Sequence, residues 1–260
     1  MSIRIEEECH PSGSLCSRSY YYNGKPHRSD GGPAVEIFYE NGRLESRQYY
    51  KDGKLHRLDG PAEERFYENG SIELCKWWTQ GKTHRIDAPA IISFRRSGAI
   101  YSQAYYFDDR MHREGGPAME GFYADGTPRS QKWCINGNLH REGGPTHIAL
   151  YDTGALFFNA WHVNNEIHRE GAPAYESFYK TGSIKERRWY RRDKLHHEDG
   201  PACEYFLPCG GCMRTVYYLD GDVLAELDYR RRIALEISCG KTPEFIPGMK
   251  ARFLEKCQGH

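Results

Sequence analysis

Apolar and polar residues follow one another in short stretches along this chain, each closed by Gly, Asn, Asp or Pro. Phe38-Tyr39, Phe66-Tyr67, Phe122-Tyr123 and Phe178-Tyr179 sit just ahead of a turn glycine. Seven positions after each such glycine stands an aromatic: Tyr20, Tyr49, Trp77, Tyr105, Trp133, Trp161, Trp189 and Tyr217. Short stretches rich in aromatic and β-branched side chains between turns read as strands. Glycine or proline recurs too often for a helix inside any unit.

The pattern is periodic. Pro33, Pro61, Pro89, Pro117, Pro145, Pro173 and Pro201 stand 28 residues apart. Ahead of them run His27, His56, His84, His112, His140, His168 and His196, with one extra residue in the first loop. Arg28, Arg57, Arg85, Arg113, Arg141 and Arg169 follow six of these histidines, and His197 follows the seventh. Each loop carries an acid before its proline, such as Asp59, Glu114 or Asp199. Gly13, Gly42, Gly70, Gly98, Gly126, Gly154, Gly182 and Gly210 form one turn column. A second holds Gly24, Gly53, Gly81, Asp109, Gly137, Asn165, Asp193 and Gly221, residues that accept a left-handed backbone.

The long-hairpin register follows from the residue before the first turn glycine. Thr153 and Thr181 are β-branched and resist the positive φ of a two-residue type I′ turn. A three-residue loop with a glycine bulge is predicted instead. It sets Phe38 opposite Leu44, Phe66 opposite Ile72, Phe94 opposite Ile100 and Phe178 opposite Ile184, with Pro128 taking the aliphatic place in the fourth copy. The expected fold is all-β: an elongated, single-layer antiparallel β-meander of 28-residue hairpin repeats with a small helical C-terminal cap. Residues 1–22 read as a degenerate half-repeat, 23–221 as seven repeats and 222–260 as the cap, with helices over 222–237 and 247–257. Ring-on-ring packing between neighbouring hairpins is the expected source of stability.

Phe66-Tyr67-Glu68-Asn69-Gly70-Ser71-Ile72 and Asn136-Gly137-Asn138-Leu139-His140 resemble MORN-type repeats, nearest the variant of YwqK-like antitoxin proteins. The longer unit, Gly53-Lys54-Leu55-His56-Arg57 extended by Leu58-Asp59-Gly60-Pro61-Ala62, is similar to repeats multiplied in Marseillevirus-like giant DNA viruses. The resemblance covers about residues 10–221. It implies an open antiparallel meander used for scaffolding or partner contact, with phospholipid as a further ligand class.

Composition narrows the function classes. Thirty-six basic residues balance 36 acidic ones, which argues against a nucleic-acid binder. A hydrophobic share of 38% with 13% aromatic residues does not suit an α/β enzyme. Apolar runs are too short for a membrane span, and Met1 to Glu8 lacks the apolar stretch of a secretory signal. The nine cysteines keep no repeat phase, so free thiols in a reducing, intracellular setting are expected.

The His-Arg ladder admits two readings. Arg57, Arg85, Arg113, Arg141 and Arg169 could form a cationic strip for phosphates or acidic partners. Alternatively, each His and Arg pins its own or the adjacent loop by bonding an acid or a carbonyl. Recurrence in every copy favours architecture, since a catalytic constellation is needed once. Arg187, Arg188 and Trp189, in the basic aromatic run Lys185 to Lys194, form a second candidate for an anionic partner, against a plain solvated strand. Cys203, Cys209 and Cys212 have some zinc-like spacing, but a single Cys-x-x-Cys around the ordinary turn Gly210 assigns no metal. Gly240-Lys241-Thr242 lacks the first glycine of a phosphate loop, because Leu235 stands there. No catalytic residue and no cofactor are expected. The sequence points to a non-enzymatic, virus-encoded scaffold for protein contact. Alternatives are a binder of anionic lipid headgroups and an antitoxin-like inhibitor of a protein partner. Self-association as a homodimer would use a sheet edge or the C-terminal helices.

Overall fold

The computed structural model describes residues 3–225. They form strands and turns, with no helix among the described residues. The chain divides into two units, Met1–Asn138 and Leu139–His260. In both, each repeat is a long hairpin followed by a short one.

The first unit carries the long hairpins Val35–Phe38 with Leu44–Gln48, Glu63–Phe66 with Ile72–Lys76, Ile91–Phe94 with Ile100–Ala104, and Met119–Phe122 with Pro128–Lys132. Successive hairpins pair edge to edge, with Ser46 opposite Arg65, Leu74 opposite Ser93 and Ser102 opposite Gly121. Residues 1–22 contribute the hairpin of Ile3–Cys9 with Leu15–Tyr22, whose second strand pairs with Val35–Phe38. The second unit repeats the scheme with His147–Leu150 and Leu156–Ala160, Tyr175–Phe178 and Ile184–Arg188, and Cys203–Phe206 and Cys212–Leu219.

Turn chemistry dictates both hairpin types. The bulged register is present: Phe38 faces Leu44, Phe66 faces Ile72, Phe94 faces Ile100, Phe178 faces Ile184 and Phe122 faces Pro128. Tyr39 N–H donates to Arg43 O at 2.8 Å and Gly42 N–H to Tyr39 O at 2.9 Å, with Gly42 left-handed at φ 78°. The short hairpins instead turn through two left-handed residues, such as Asp52 (53°) and Gly53 (80°), the type I′ pattern. Gln80 (54°) and Arg192 (49°) take this conformation too, although neither side chain favours it.

Packing corrects the expected ring-on-ring core. The most enclosed column is the residue after each ladder proline: Ala34, Ala62, Ala90, Ala118, Ala174 and Ala202 are 0% exposed and Thr146 is 1%. Each sits in a rung between strands; Tyr49 N–H donates to Ala62 O at 2.7 Å, and Ala62 N–H to Lys76 O at 2.9 Å. A rung closed on both sides leaves room for little more than a methyl group. The aromatic column is covered by arginine, as described below.

The expected helix over 222–237 is corrected at its start. Asp222–Leu224 is a strand paired with Tyr217, Tyr218 and Leu219, the return arm of a type I′ turn at Asp220 and Gly221. The rest of that helix and the one expected over 247–257 lie outside the described residues.

Candidate functional site

The ladder arginines lie flat on the aromatic column of their own repeat. Cζ stands 4.2 Å from the ring centroid for Arg28 on Tyr20, 4.0 Å for Arg57 on Tyr49 and 3.9 Å for Arg85 on Trp77. The same stacking joins Arg113 to Tyr105 at 4.0 Å and Arg169 to Trp161 at 3.9 Å. From there Nη1 donates to the carbonyl of the loop proline, at 3.0 Å for Arg85 and Pro89, 3.1 Å for Arg113 and Pro117, and 3.1 Å for Arg141 and Pro145. Arg57 to Pro61 (3.4 Å) and Arg169 to Pro173 (3.2 Å) repeat the bond. In the copies with a glycine before that proline, that glycine lies against the guanidinium, whereas Ala88 and Ala172 stand there in the third and sixth. A Cβ built on Gly32 would lie 2.6 Å from Arg28 Cζ, and one on Gly60 3.0 Å from Arg57 Cζ. In those copies the cation is thus held between a π-face and a bare peptide, with a carbonyl taking one end of its fork.

The acids complete the loop. Arg57 Nε reaches Asp59 at 2.9 Å, and this bond holds the Asp59 carboxyl below the usual range. Asp30 is lowered by the Gly32 N–H and then by Arg28. Deeper in, Arg57 and Arg113 each stand 3.6 Å from a strand glutamate, Glu64 and Glu120. The seventh copy has an imidazole instead. His197 lies on Trp189 with 4.7 Å between centroids at 8°, and its Nδ1 meets Pro201 O at 3.0 Å. Burial pushes the His197 pKa below the ordinary histidine value, because the imidazolium is costly to desolvate.

The ladder histidines face the following repeat. Nδ1 accepts the backbone N–H of the first left-handed turn residue, at 3.2 Å from Asp52 to His27 and 3.2 Å from Gln80 to His56. His84 accepts from Asp108 at 3.4 Å, His112 from Asn136 at 3.1 Å and His196 from Asp220 at 3.1 Å. An accepting Nδ1 places the proton of the neutral ring on Nε2. His168 Nδ1 is buried without a hydrogen-bond partner, and His140 stands just after the strand Asn138–Leu139. In the second unit the ladder borders a groove of about 700 Å³, lined by Arg141, Trp161, His168, Arg169 and Arg192 among others.

The basic run is largely paired. Arg187 lies 3.4 Å from Glu176 and 4.0 Å from Glu204, Arg188 bonds Glu186, and Arg191 reaches Glu198 at 2.9 Å and Asp220 at 2.6 Å. Cys203 is buried opposite Val216, whereas Cys209 and Cys212 are exposed around the turn, Cys212 opposite Phe206. Among the described residues, no group of three or more His, Cys, Asp or Glu converges as metal ligands would.

Two sets of ties are not evident from the sequence reading. Tyr39 Oη donates to Phe66 O at 2.7 Å, Tyr67 to Phe94 O at 2.8 Å, Tyr151 to Phe178 O at 2.9 Å and Tyr179 to Phe206 O at 2.8 Å. The constant spacing of these tyrosines was the available signal. Where the second turn column departs from glycine, Asp109, Asn165 and Asp193 accept the backbone N–H of Thr83, Leu139 and Ile167, at 2.7, 2.6 and 2.7 Å.

A family model described as a MORN repeat variant matches residues 34–52, one long hairpin and the start of its short hairpin, and supports a MORN-type repeat protein. No curated protein matches the chain. Among solved structures, the wild-type TCP10 domain of Danio rerio CPAP in complex with a STIL peptide is 14% identical, with 83% of this chain and 100% of that one covered and a TM-score of 0.22. Alternansucrase in complex with isomaltononaose is 15% identical, with 86% of this chain and 16% of that one covered and a TM-score of 0.14. No helix among the described residues is long and apolar enough to cross a membrane.

Proposed function

We propose that this protein is a non-enzymatic repeat scaffold that holds a protein partner. One observation carries the reading: the chemically conspicuous groups are engaged in bonds within their own loop or to the next repeat, copy after copy. MORN repeats are commonly protein- and lipid-interaction scaffolds, and the match over 34–52 agrees with that use. The contact surface lies where the repeats leave apolar side chains in water. Leu58 and Ile86, at one loop position in adjacent copies, are 84% and 72% exposed. Apolar side chains grouped in water in this way mark a site of protein contact. The similarity of the loops to Marseillevirus-like repeats supports a viral source, in which the scaffold serves virion assembly or recruits a host factor. Ile3–Cys9, paired on one side only among the described residues, gives a homodimer an edge on which to form.

The test is affinity purification of the full chain from its native setting, with partners identified by mass and the purified partner rebound. Leu58→Asp with Ile86→Asp is expected to abolish rebinding while leaving the melting temperature in place. Rebinding at unchanged affinity, or no stoichiometric partner at all, would sink the reading. Flotation of the protein with acidic but not neutral vesicles would favour the lipid reading, and recovery of a toxin the antitoxin-like one.

A further inference from the structure

The third and fourth repeats differ from the copies before them at several column positions. Arg95 stands in the tyrosine column of Tyr39, Tyr67, Tyr123, Tyr151 and Tyr179. It still reaches the neighbouring hairpin, since Nη2 donates to Phe122 O at 2.7 Å, but it brings a charge that the tyrosines do not. Two residues after the bulged turn, the first copies carry Glu45 and Glu73, whereas these carry Tyr101 and Arg129. Gly121 takes a position where every other copy has a side chain. A Cβ there would lie 3.3 Å from Arg129 Nη2 and 2.8 Å from Ser130 Oγ, so the bare glycine makes room for the guanidinium.

These changes meet in one place. Arg95 Cζ lies 4.9 Å and Arg129 Cζ 4.7 Å from the Tyr101 ring centroid. Tyr101 and Arg95 line a groove of about 540 Å³ with Arg65, Arg96, Tyr67 and Leu74; Glu73 also borders it. Arg65 is matched by Glu63 at 2.7 Å. Arg95, Arg96 and Arg129 have no carboxylate within ion-pair distance among the described residues, and Arg95 Nε is buried without a hydrogen-bond partner. Arg95 and Arg96, neither with an ion-pair partner among the described residues, stand beside a half-exposed phenol in this groove and form a receptor for a small, multiply charged, tetrahedral anion. The Arg129 hydrogen bond, with the charges of Arg129 and Arg95, lowers the Tyr101 phenol below its usual range.

We propose that this groove binds a phosphate dianion, free or as a monoester, with Arg95 and Arg96 holding its oxygens. In a monoester the organic part lies against Tyr67 and Leu74. The site is independent of the partner-binding reading above, because neither Leu58 nor Ile86 lines it.

Calorimetric titration of the full chain with phenyl phosphate and with inorganic phosphate, at matched ionic strength, tests it. Both probes are expected to bind saturably at one site; tighter phenyl phosphate identifies an ester, and equal affinities identify free phosphate. Arg95→Tyr restores the tyrosine of the other repeats, so the bond to Phe122 O survives while the charge is lost. It is expected to melt at the parent temperature and to weaken binding by about tenfold or more. Arg96→Gln provides a second variant with the same expected loss. Absence of saturable binding for both probes, or undiminished affinity in a folded Arg95→Tyr or Arg96→Gln protein, would overturn the proposal.

Discussion

At the scale of the residue, geometry separates two uses of arginine that composition does not. Arg85 lies on Trp77 and donates to Pro89 O with one end of a planar fork. A lysine can carry the charge but neither stacks as a plane nor offers the fork. Arg85→Lys is therefore expected to cost about 1–2 kcal/mol, read by urea denaturation. Ala90→Leu should cost more, about 1–3 kcal/mol or above, because the alanine is fully enclosed and its rung cannot open without breaking backbone bonds. His197 gives the pH dependence. Burial lowers its pKa, so the folded state binds the proton less well than the unfolded state. Its contribution is present above the ordinary histidine value, about 6.5, and is lost as the pH falls from there towards the depressed folded value. His197→Arg, the residue of the other loops, should flatten that part of the melting temperature profile between neutral and mildly acid pH.

At the scale of the element, the two turn types set the hairpins. Asx and glycine residues at the short turns accept the left-handed backbone, whereas Gln80 holds it at φ 54° against its own preference. Gln80→Asn should stabilise by up to about 1 kcal/mol in thermal or chemical unfolding, because the backbone amide that bonds His56 Nδ1 is kept. Bulge, register and cross-strand pairs were legible beforehand because they depend on neighbours within a few residues: Thr153 and Thr181 alone exclude the tighter long-hairpin turn. The left-handed residue ahead of each short-turn glycine was less legible, since Gln and Arg do not advertise that conformation.

At the scale of the whole molecule, repeats are joined by copies of the same few bonds rather than by a common centre. Tyr67→Phe removes one hydroxyl bond to Phe94 O and should cost about 1 kcal/mol. Tyr179→Phe removes the equivalent bond to Phe206 O in the other unit, and the two losses are expected to add in a double mutant. Marked non-additivity in denaturant midpoints would contradict bonding confined to adjacent copies.

The period, the hairpins, their register and the architectural weight of the ladder were written in local chemistry: glycine where φ must be positive, proline where the chain leaves the strand, an aromatic at a constant phase. What each ladder group touches was decided only by folding, because its partner lies either across a loop or about one repeat away. The ring under Arg57, the amide offered to His56 and the closed rung at Ala62 all depend on how strands align in space. The gathering of Arg95 and Arg129 on the Tyr101 ring has the same origin, since adjacent hairpins must pair before residues from two repeats become neighbours.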